Sequence, residues 1–167
     1  MSREREQLAT PKIGEGKRGI SGHLLYLLRQ ANAAVQQAVD RELADLGLSL
    51  SQYSALTMIA AYPGLSNAEL SRLSMLTPQS ANETVRRLEL MGLIERAQDP
   101  SHGRILRMDV TAHGRQLLRR ARARSDKVES FLQARTGNDE TAVRRWLVEI
   151  ARELAAGEDL HDPRPCN

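Results

Sequence analysis

Apolar side chains recur every three or four residues through Ile20, Leu24, Leu27, Leu28, Ala31, Val35, Ala38, Val39 and Leu43, which predicts a long amphipathic helix ending before Gly47. A second helix is expected from a cap at Ser49 or Ser51 to about Tyr62, with Tyr53, Leu56, Ile59 and Ala60 on one face and Pro63-Gly64 as its stop. Ser66 and Glu69 have capping-box spacing, in which the hydroxyl accepts from the third backbone amide while the carboxylate reaches back to the cap. That box opens a short helix carrying Ala68, Leu70 and Leu73. After Ser74 and Met75 the chain must turn. Thr77 then supplies a capping hydroxyl and Pro78 a φ already set for the first helical turn, so a fourth helix runs from Pro78 to Met91, with Gly92 as its stop.

The period then changes. Leu93-Ile94-Glu95-Arg96 and Arg104 through Val110 flank Asp99-Pro100-Ser101-His102-Gly103, the pattern of a β-hairpin. Thr111 caps a fifth helix to about Arg135, buried along Leu117, Leu118, Ala121, Ser125, Val128 and Leu132. A last helix, capped by Asn138 or Asp139, carries Val143, Trp146, Leu147, Ile150 and Leu154. Residues 1–17, polar with Pro11, Gly14 and Gly16, read as a flexible arm, and 157–167 as a disordered tail. The expected order is therefore four helices, two strands and two helices: mainly α with a small β-hairpin.

Charge changes this picture. The chain of 167 residues carries a net +3, but residues 72–124 hold 11 basic and 5 acidic side chains, a local +6, while the remainder is −3. A basic excess around the fourth helix and the hairpin is what a phosphate-facing surface requires. Two short capped helices joined by a turn of about four residues, the second of them polar and followed by a basic hairpin, describe a winged helix-turn-helix. On the second, Ala81, Val85 and Leu88 share a face that packs on the first. Thr77, Pro78, Gln79, Ser80, Asn82, Glu83 and Arg86 are left as candidate DNA-binding positions. Gln and Asn can pair adenine bidentately, Arg suits guanine or phosphate, and hydroxyls at a helix N-terminus suit phosphate.

Ala68-Glu69-Leu70-Ser71-Arg72-Leu73, then Thr84 through Arg96, then Asp99 to Arg104, then Leu106 to Thr111 followed by Gly114, resemble in order and spacing the signature of the MarR family of transcriptional regulators. The resemblance covers about residues 20–155. It implies dimers whose recognition helices enter successive major grooves of a pseudo-palindromic operator in double-stranded DNA while the wings reach flanking minor grooves. Arg104 is then the wing arginine, suited to a narrow and strongly negative groove, and Asp99 the acidic residue that braces it. The family dimerises through its terminal helices, here Ile20 to Leu46 and about Lys127 to Leu154. The domains expected are thus a dimerisation helix at 18–47, the winged helix-turn-helix lobe at 48–111 and dimerisation helices at 112–156. Independently, Trp146, Leu147, Ile150 and Leu154 form an apolar stripe that a second copy would cover.

The family also implies a small aromatic carboxylate or phenolic effector, for which His23, Tyr26 and Arg29 on the first helix and Tyr53 and Met58 on the second are candidates. The expected function is a repressor released by such a compound; an architectural DNA-binding protein or a helical adaptor without an effector is the alternative. No cofactor or metal is expected: His23, His102, His113 and His161 are dispersed, and the single cysteine, Cys166, sits in the tail. No phosphate-binding loop, dinucleotide fingerprint, HExxH or GxSxG occurs, so the chain does not read as an enzyme. Without an apolar run of about 18 residues or a signal-like start, a cytoplasmic setting is expected and no membrane is. Arg115, Arg119, Arg120, Arg122 and Arg124 spread around their helix and read as solvated surface.

Overall fold

The computed structural model of the chain describes residues 11–74, 76–98 and 106–156. Six α-helices and three short strands follow in the order α1 (Leu24–Leu43), α2 (Leu50–Ala61), β1 (Leu65–Ser66), α3 (Asn67–Leu73), α4 (Pro78–Leu90), β2 (Ile94–Gln98), β3 (Leu106–Val110), α5 (Ala112–Thr136) and α6 (Glu140–Ala156). The chain divides into two compact units, Met1–Ser125 and Asp126–Asn167, with the boundary inside α5.

In the first unit, α1 begins at Leu24 and not at Ile20. Residues 18–23, expected as helix, belong to tight turns in which Gly19 donates to Gly16 O and Gly22 to Gly19 O. The cause is local: a Cβ on Gly22 would lie 2.2 Å from Lys17 O, so only glycine fits this close approach. Ile20 is consequently fully exposed at 102%. Pro11 to Lys17, expected as part of a flexible arm, is bonded, with Pro11 O accepting from Arg18 Nη1 at 2.9 Å and the Lys12 amide donating to Glu15 at 2.9 Å. The helix then turns at Ala44–Leu46, and Gly47 takes the left-handed conformation that ends it.

Ser49 is the cap of α2, in a capping box with Gln52. Asp40 reaches from α1 to accept the Leu50 amide at 2.6 Å, covering another of the open N–H groups. Only Ala55, Leu56 and Ile59 of this helix are buried, while Ala60 faces outward. The Ser66–Glu69 capping box forms as expected. The buried face of α3 is Leu70 and Ser71, however, with Ala68 and Leu73 exposed. The rotation follows from the Ser71 hydroxyl, which donates to Leu76 O at 2.7 Å and so turns inward to close the loop toward α4.

A two-residue strand, β1, went unseen in the sequence because Leu65 and Ser66 are too few to show a period. It pairs antiparallel with β3, which pairs antiparallel with β2, giving the sheet order β1-β3-β2. In β3 the inward Met108 and Val110 alternate with half-buried Arg107 and exposed Asp109, whereas β2 buries only Ile94. The sheet joins α5 through Thr111, whose hydroxyl donates to Gly92 O at 2.7 Å and accepts the Gly114 amide at 3.0 Å. Gly114 is buried where α5 crosses the backbone at Leu93.

In the second unit, the end of α5 and α6 are joined by the single turn Gly137–Asp139, which takes up both residues expected to cap the last helix. Arg144 on α6 bridges Glu129 at 2.7 Å and Glu140 at 2.8 Å. Phe131, Leu132, Val143, Leu147, Val148 and Leu154 are all exposed.

A Cβ placed on Gly114 would stand 2.0 Å from Leu93 O, which no side-chain rotation relieves. Gly114→Ala is therefore expected to destabilise the first unit by about 1–3 kcal/mol, the range for overpacking a filled site, as read by chemical denaturation. Glu69 is a second test. Its carboxyl is held below the usual value by the Ser66 hydroxyl and amide, then by Arg107 and Arg72, against the opposing effect of desolvation. A depressed folded value means that its stabilisation is present above the ordinary carboxylate range and is lost as pH falls through the folded value. Melting curves between about pH 5 and pH 3 should fall less steeply for Glu69→Gln than for the natural chain.

Candidate nucleic-acid interface

Helix α4 is positioned by a rule of spacing. Ala81, Thr84, Val85 and Leu88, at i, i+3, i+4 and i+7, are its buried residues, and α4 packs on α2 and α3. The opposite face therefore turns outward, and Gln79, Ser80, Asn82, Glu83 and Arg86 are all exposed there. At its start Thr77 accepts the Ser80 amide at 3.1 Å and donates to the Ser80 hydroxyl at 2.9 Å, and Pro78 occupies the first turn. Three of the exposed groups already hold partners: Ser80 in that cap, Asn82 from Asn67 of α3 at 2.5 Å, and Glu83 with Arg87 at 2.9 Å, one turn along. The surface so built sets a helix N-terminus beside amide, hydroxyl and guanidinium side chains, groups able to hydrogen-bond to base edges and phosphates.

The two strands of the hairpin are each keyed to the helix pair by an arginine. On β2, Arg96 Nε donates to Glu89 Oε1 at 3.0 Å and its Nη2 to Glu89 Oε2, a bidentate grip on the last turns of α4. Its guanidinium holds the Glu89 carboxyl below the usual range against desolvation. On β3, Arg107 Nη1 donates to Glu69 Oε2 at 2.9 Å and to Gly64 O at 3.2 Å. Glu69 Oε2 also takes the Ser66 hydroxyl at 2.6 Å and amide at 2.7 Å, so one oxygen serves both the cap of α3 and the clamp on β3.

Asp99 and Arg104, the residues expected at the tip of the wing, lie outside the described residues. So do Cys166, His102 and His161 and the stretches 1–10 and 157–167. The β2–β3 ladder is described as far as Gln98 opposite Leu106.

The candidate effector residues separate into two groups. His23 and Tyr26 line one cavity of about 470 Å³ together with Pro11, Lys17 and Arg18. Arg29 is exposed on α1 and is not part of that lining. Tyr53 is half-buried and shares a 2.8 Å hydrogen bond with Ser125 of α5, and Met58 is half-buried on α2. Neither lines the cavity of His23 and Tyr26. Of the arginines on α5, Arg115, Arg119, Arg120 and Arg122 are exposed, while Arg124 pairs with Asp45 at 2.8 Å. Among the described residues no group of three His, Cys, Asp or Glu side chains could hold a metal, and no helix is long and apolar enough to cross a membrane.

Sequence reasoning passed over Asn67, Ser71, Arg96 and Arg107 as positioning residues. Their partners lie on other elements, so no period along the chain marks them. The one available signal was a polar side chain at a position where a short helix needed an apolar one, as at Ser71.

A model of the MarR family matches residues 46–105. Over 129 residues the chain is 36% identical to the HTH-type transcriptional repressor Rv2887 of Mycobacterium tuberculosis, covering 77% of this chain and 93% of that protein. It is 32% identical over 126 residues to the transcriptional regulator HosA of Escherichia coli O111:H-, covering 75% and 90%. Among solved structures, the transcriptional repressor CouR bound to a 23-mer DNA duplex has a TM-score of 0.73 at 27% identity, over 77% of this chain and 92% of that one. Rv2887 in complex with p-aminosalicylic acid gives 0.62 at 34% identity, over 78% and 99%. In sequence and in fold alike, this chain belongs to the MarR family of winged helix-turn-helix transcriptional regulators.

Proposed function

We propose that this protein is a dimeric repressor that binds double-stranded DNA through α4 and the wing and releases it on binding a small aromatic or phenolic acid. One observation carries the DNA-binding part: a helix with a buried edge of Ala81, Thr84, Val85 and Leu88 and an outer face of Gln79, Ser80, Asn82, Glu83 and Arg86. Such a helix, capped by Thr77 and followed by a clamped hairpin, meets the requirements of a major-groove reader. Arg104 is proposed for the minor groove, braced by Asp99. CouR, whose fold this chain shares, is a transcriptional repressor solved on DNA, which supports the same role here. A regulator of this kind acts in the cytoplasm and performs no chemistry of its own.

Exposed apolar side chains support the dimeric reading. Ile20, Leu24 and Leu25 in the first unit and Leu147, Val148 and Leu154 in the second are exposed, a large apolar area for a single chain in water. A twofold partner that covers these terminal elements would set two copies of α4 about one turn of DNA apart, or roughly 34 Å. Repression then works by occlusion, and an effector need only favour a different spacing by a few kcal/mol to free the operator.

Selection of bound duplexes from a random library, with the mass in solution measured alongside, is the direct experiment. The expected outcome is an inverted repeat bound by a dimer. Arg86→Ala should weaken binding to that repeat by about 1–3 kcal/mol and relax preference at one position per half-site. Equal loss on every sequence would remove Arg86 from base reading and leave it a phosphate contact.

For the effector, the cavity of Pro11, Lys17, Arg18, His23 and Tyr26 combines cationic groups with an aromatic ring. Arg18 commits two of its five N–H donors, Nε to Gln30 at 2.9 Å and Nη1 to Pro11 O at 2.9 Å, and stands with Lys17 and His23 as a group to meet a carboxylate. Rv2887 has been solved with salicylic acid and with p-aminosalicylic acid, compounds of the class this cavity suits. Calorimetric titration with salicylate should show binding that Tyr26→Ala and His23→Ala each weaken by about tenfold, the loss of one charge-assisted or stacking contact, while Arg29→Ala leaves it unchanged. Loss of affinity in Arg29→Ala alone would move the site elsewhere on α1.

A further inference from the structure

Helix α4 and strand β2 are joined by three residues, Met91 to Leu93, with Gly92 at a φ of +66°. A connection this short fixes where β2 begins and leaves its direction to other contacts. β2 supplies few of them: it is an outer strand of the β1-β3-β2 sheet, and of its five residues only Ile94 is buried. Across the corner stands one pair, in which Arg96 Nε donates to Glu89 Oε1 at 3.0 Å and Nη2 to Glu89 Oε2. Both carboxylate oxygens and two guanidinium nitrogens take part, so the contact fixes an angle as well as a distance.

An arginine on the strand of a DNA-binding hairpin is expected to meet a phosphate. Arg96 keeps three of its five N–H donors for that purpose, but the Glu89 carboxylate offsets its charge. The pair as a whole is neutral and would release few counterions on meeting a DNA backbone. Its side chains are 33% and 36% exposed, and pairs so exposed add little to stability. What the pair does supply is direction. β2 and β3 are paired from Ile94 opposite Val110 to Gln98 opposite Leu106, so a swing of β2 about the corner carries the far end of the ladder with it.

We propose that the Glu89–Arg96 pair is a specificity-positioning element: by bracing β2 against α4 it sets how sharply the protein discriminates among the base pairs flanking each half-site. The half-site itself is read by α4 without it. The proposal rests on α4 and the wing both meeting DNA, and adds the contact that keeps one reader in register with the other.

The experiment uses the full-length chain on the duplex selected from the random library and on a duplex with the same half-sites and scrambled flanks, each at several salt concentrations. The natural protein is expected to prefer the selected flanks by on the order of tenfold, the effect of one unfavourable base pair. Glu89→Gln removes the partner charge and leaves every arginine in place. It should bring the flank preference close to parity, with base preferences inside the half-sites unchanged. Arg96→Lys keeps the positive charge but not the two-point geometry, and should lose the same preference at an unchanged salt slope. The exchanged pair, Glu89→Arg with Arg96→Glu, should restore most of it, since an arginine in the last turn of α4 also suits the negative end of that helix. A direct phosphate contact by Arg96 gives a different pattern: Glu89→Gln keeps its flank preference, while Arg96→Gln weakens binding to every sequence and lowers the salt slope by about one. That pattern overturns the proposal. So does a parallel loss of half-site and flank preference, the mark of general support, or an exchanged pair that restores nothing. Absence of any flank preference in the natural protein overturns the wing as a reader of DNA, and the proposal with it, while leaving α4 as the reading helix.

Discussion

The arrangement of this surface depends on how α4 is rotated about its own axis, and that rotation is set by the burial of Ala81, Thr84, Val85 and Leu88 against α2 and α3. A turn of 100° per residue leaves no freedom once four positions are committed inward. Gln79, Asn82, Glu83 and Arg86 are then outward by necessity. The apolar edge thus decides which polar groups reach a ligand, although none of its own atoms would touch one. Truncation of Leu88, which is fully buried, would act on recognition through this rotation as well as on stability through the cavity it leaves.

The wing depends on a different kind of contact. Its first strand buries little beyond Ile94, too small an apolar area to hold an extended hairpin in one orientation. Polar clamps supply what burial does not: Arg96 on Glu89, Arg107 on Glu69 and the Gly64 carbonyl, and the Thr111 hydroxyl between Gly92 and Gly114. These bonds are directional, whereas apolar contact is not, and directionality is what a hairpin needs if its tip is to keep a fixed bearing relative to α4. They also sit at the surface, where added salt weakens the charged pairs.

Most of this fold was legible in the chain. Local chemistry marked the capping boxes, the Thr77-Pro78 start and the glycine at the end of α4, because each acts within a turn of itself. What escaped was set by distance or by brevity. β1 is two residues long and exists only because Leu65 and Ser66 lie beside Met108 and Arg107 of β3. The start of α1 was misplaced because the apolar spacing of Ile20 fitted the helix, while the close backbone approaches at Gly19 and Gly22 outweighed it. Among the site residues, outward orientation on α4 was predictable from period alone. The engagement of Asn82 by Asn67, fifteen positions away, was not.

Glu69 Oε2 serves three donors at once: the Ser66 hydroxyl, the Ser66 amide and Arg107. An oxygen shared in this way ties together two parts of the fold that could otherwise vary independently, the start of α3 and the middle of β3. In lineages that diverge from this chain, replacement of Glu69 should therefore travel with replacement of both Ser66 and Arg107, and a change at Arg107 should be tolerated best where a different cap has already relieved that carboxylate. The three positions would evolve as one character, although they are drawn from two elements nearly forty residues apart.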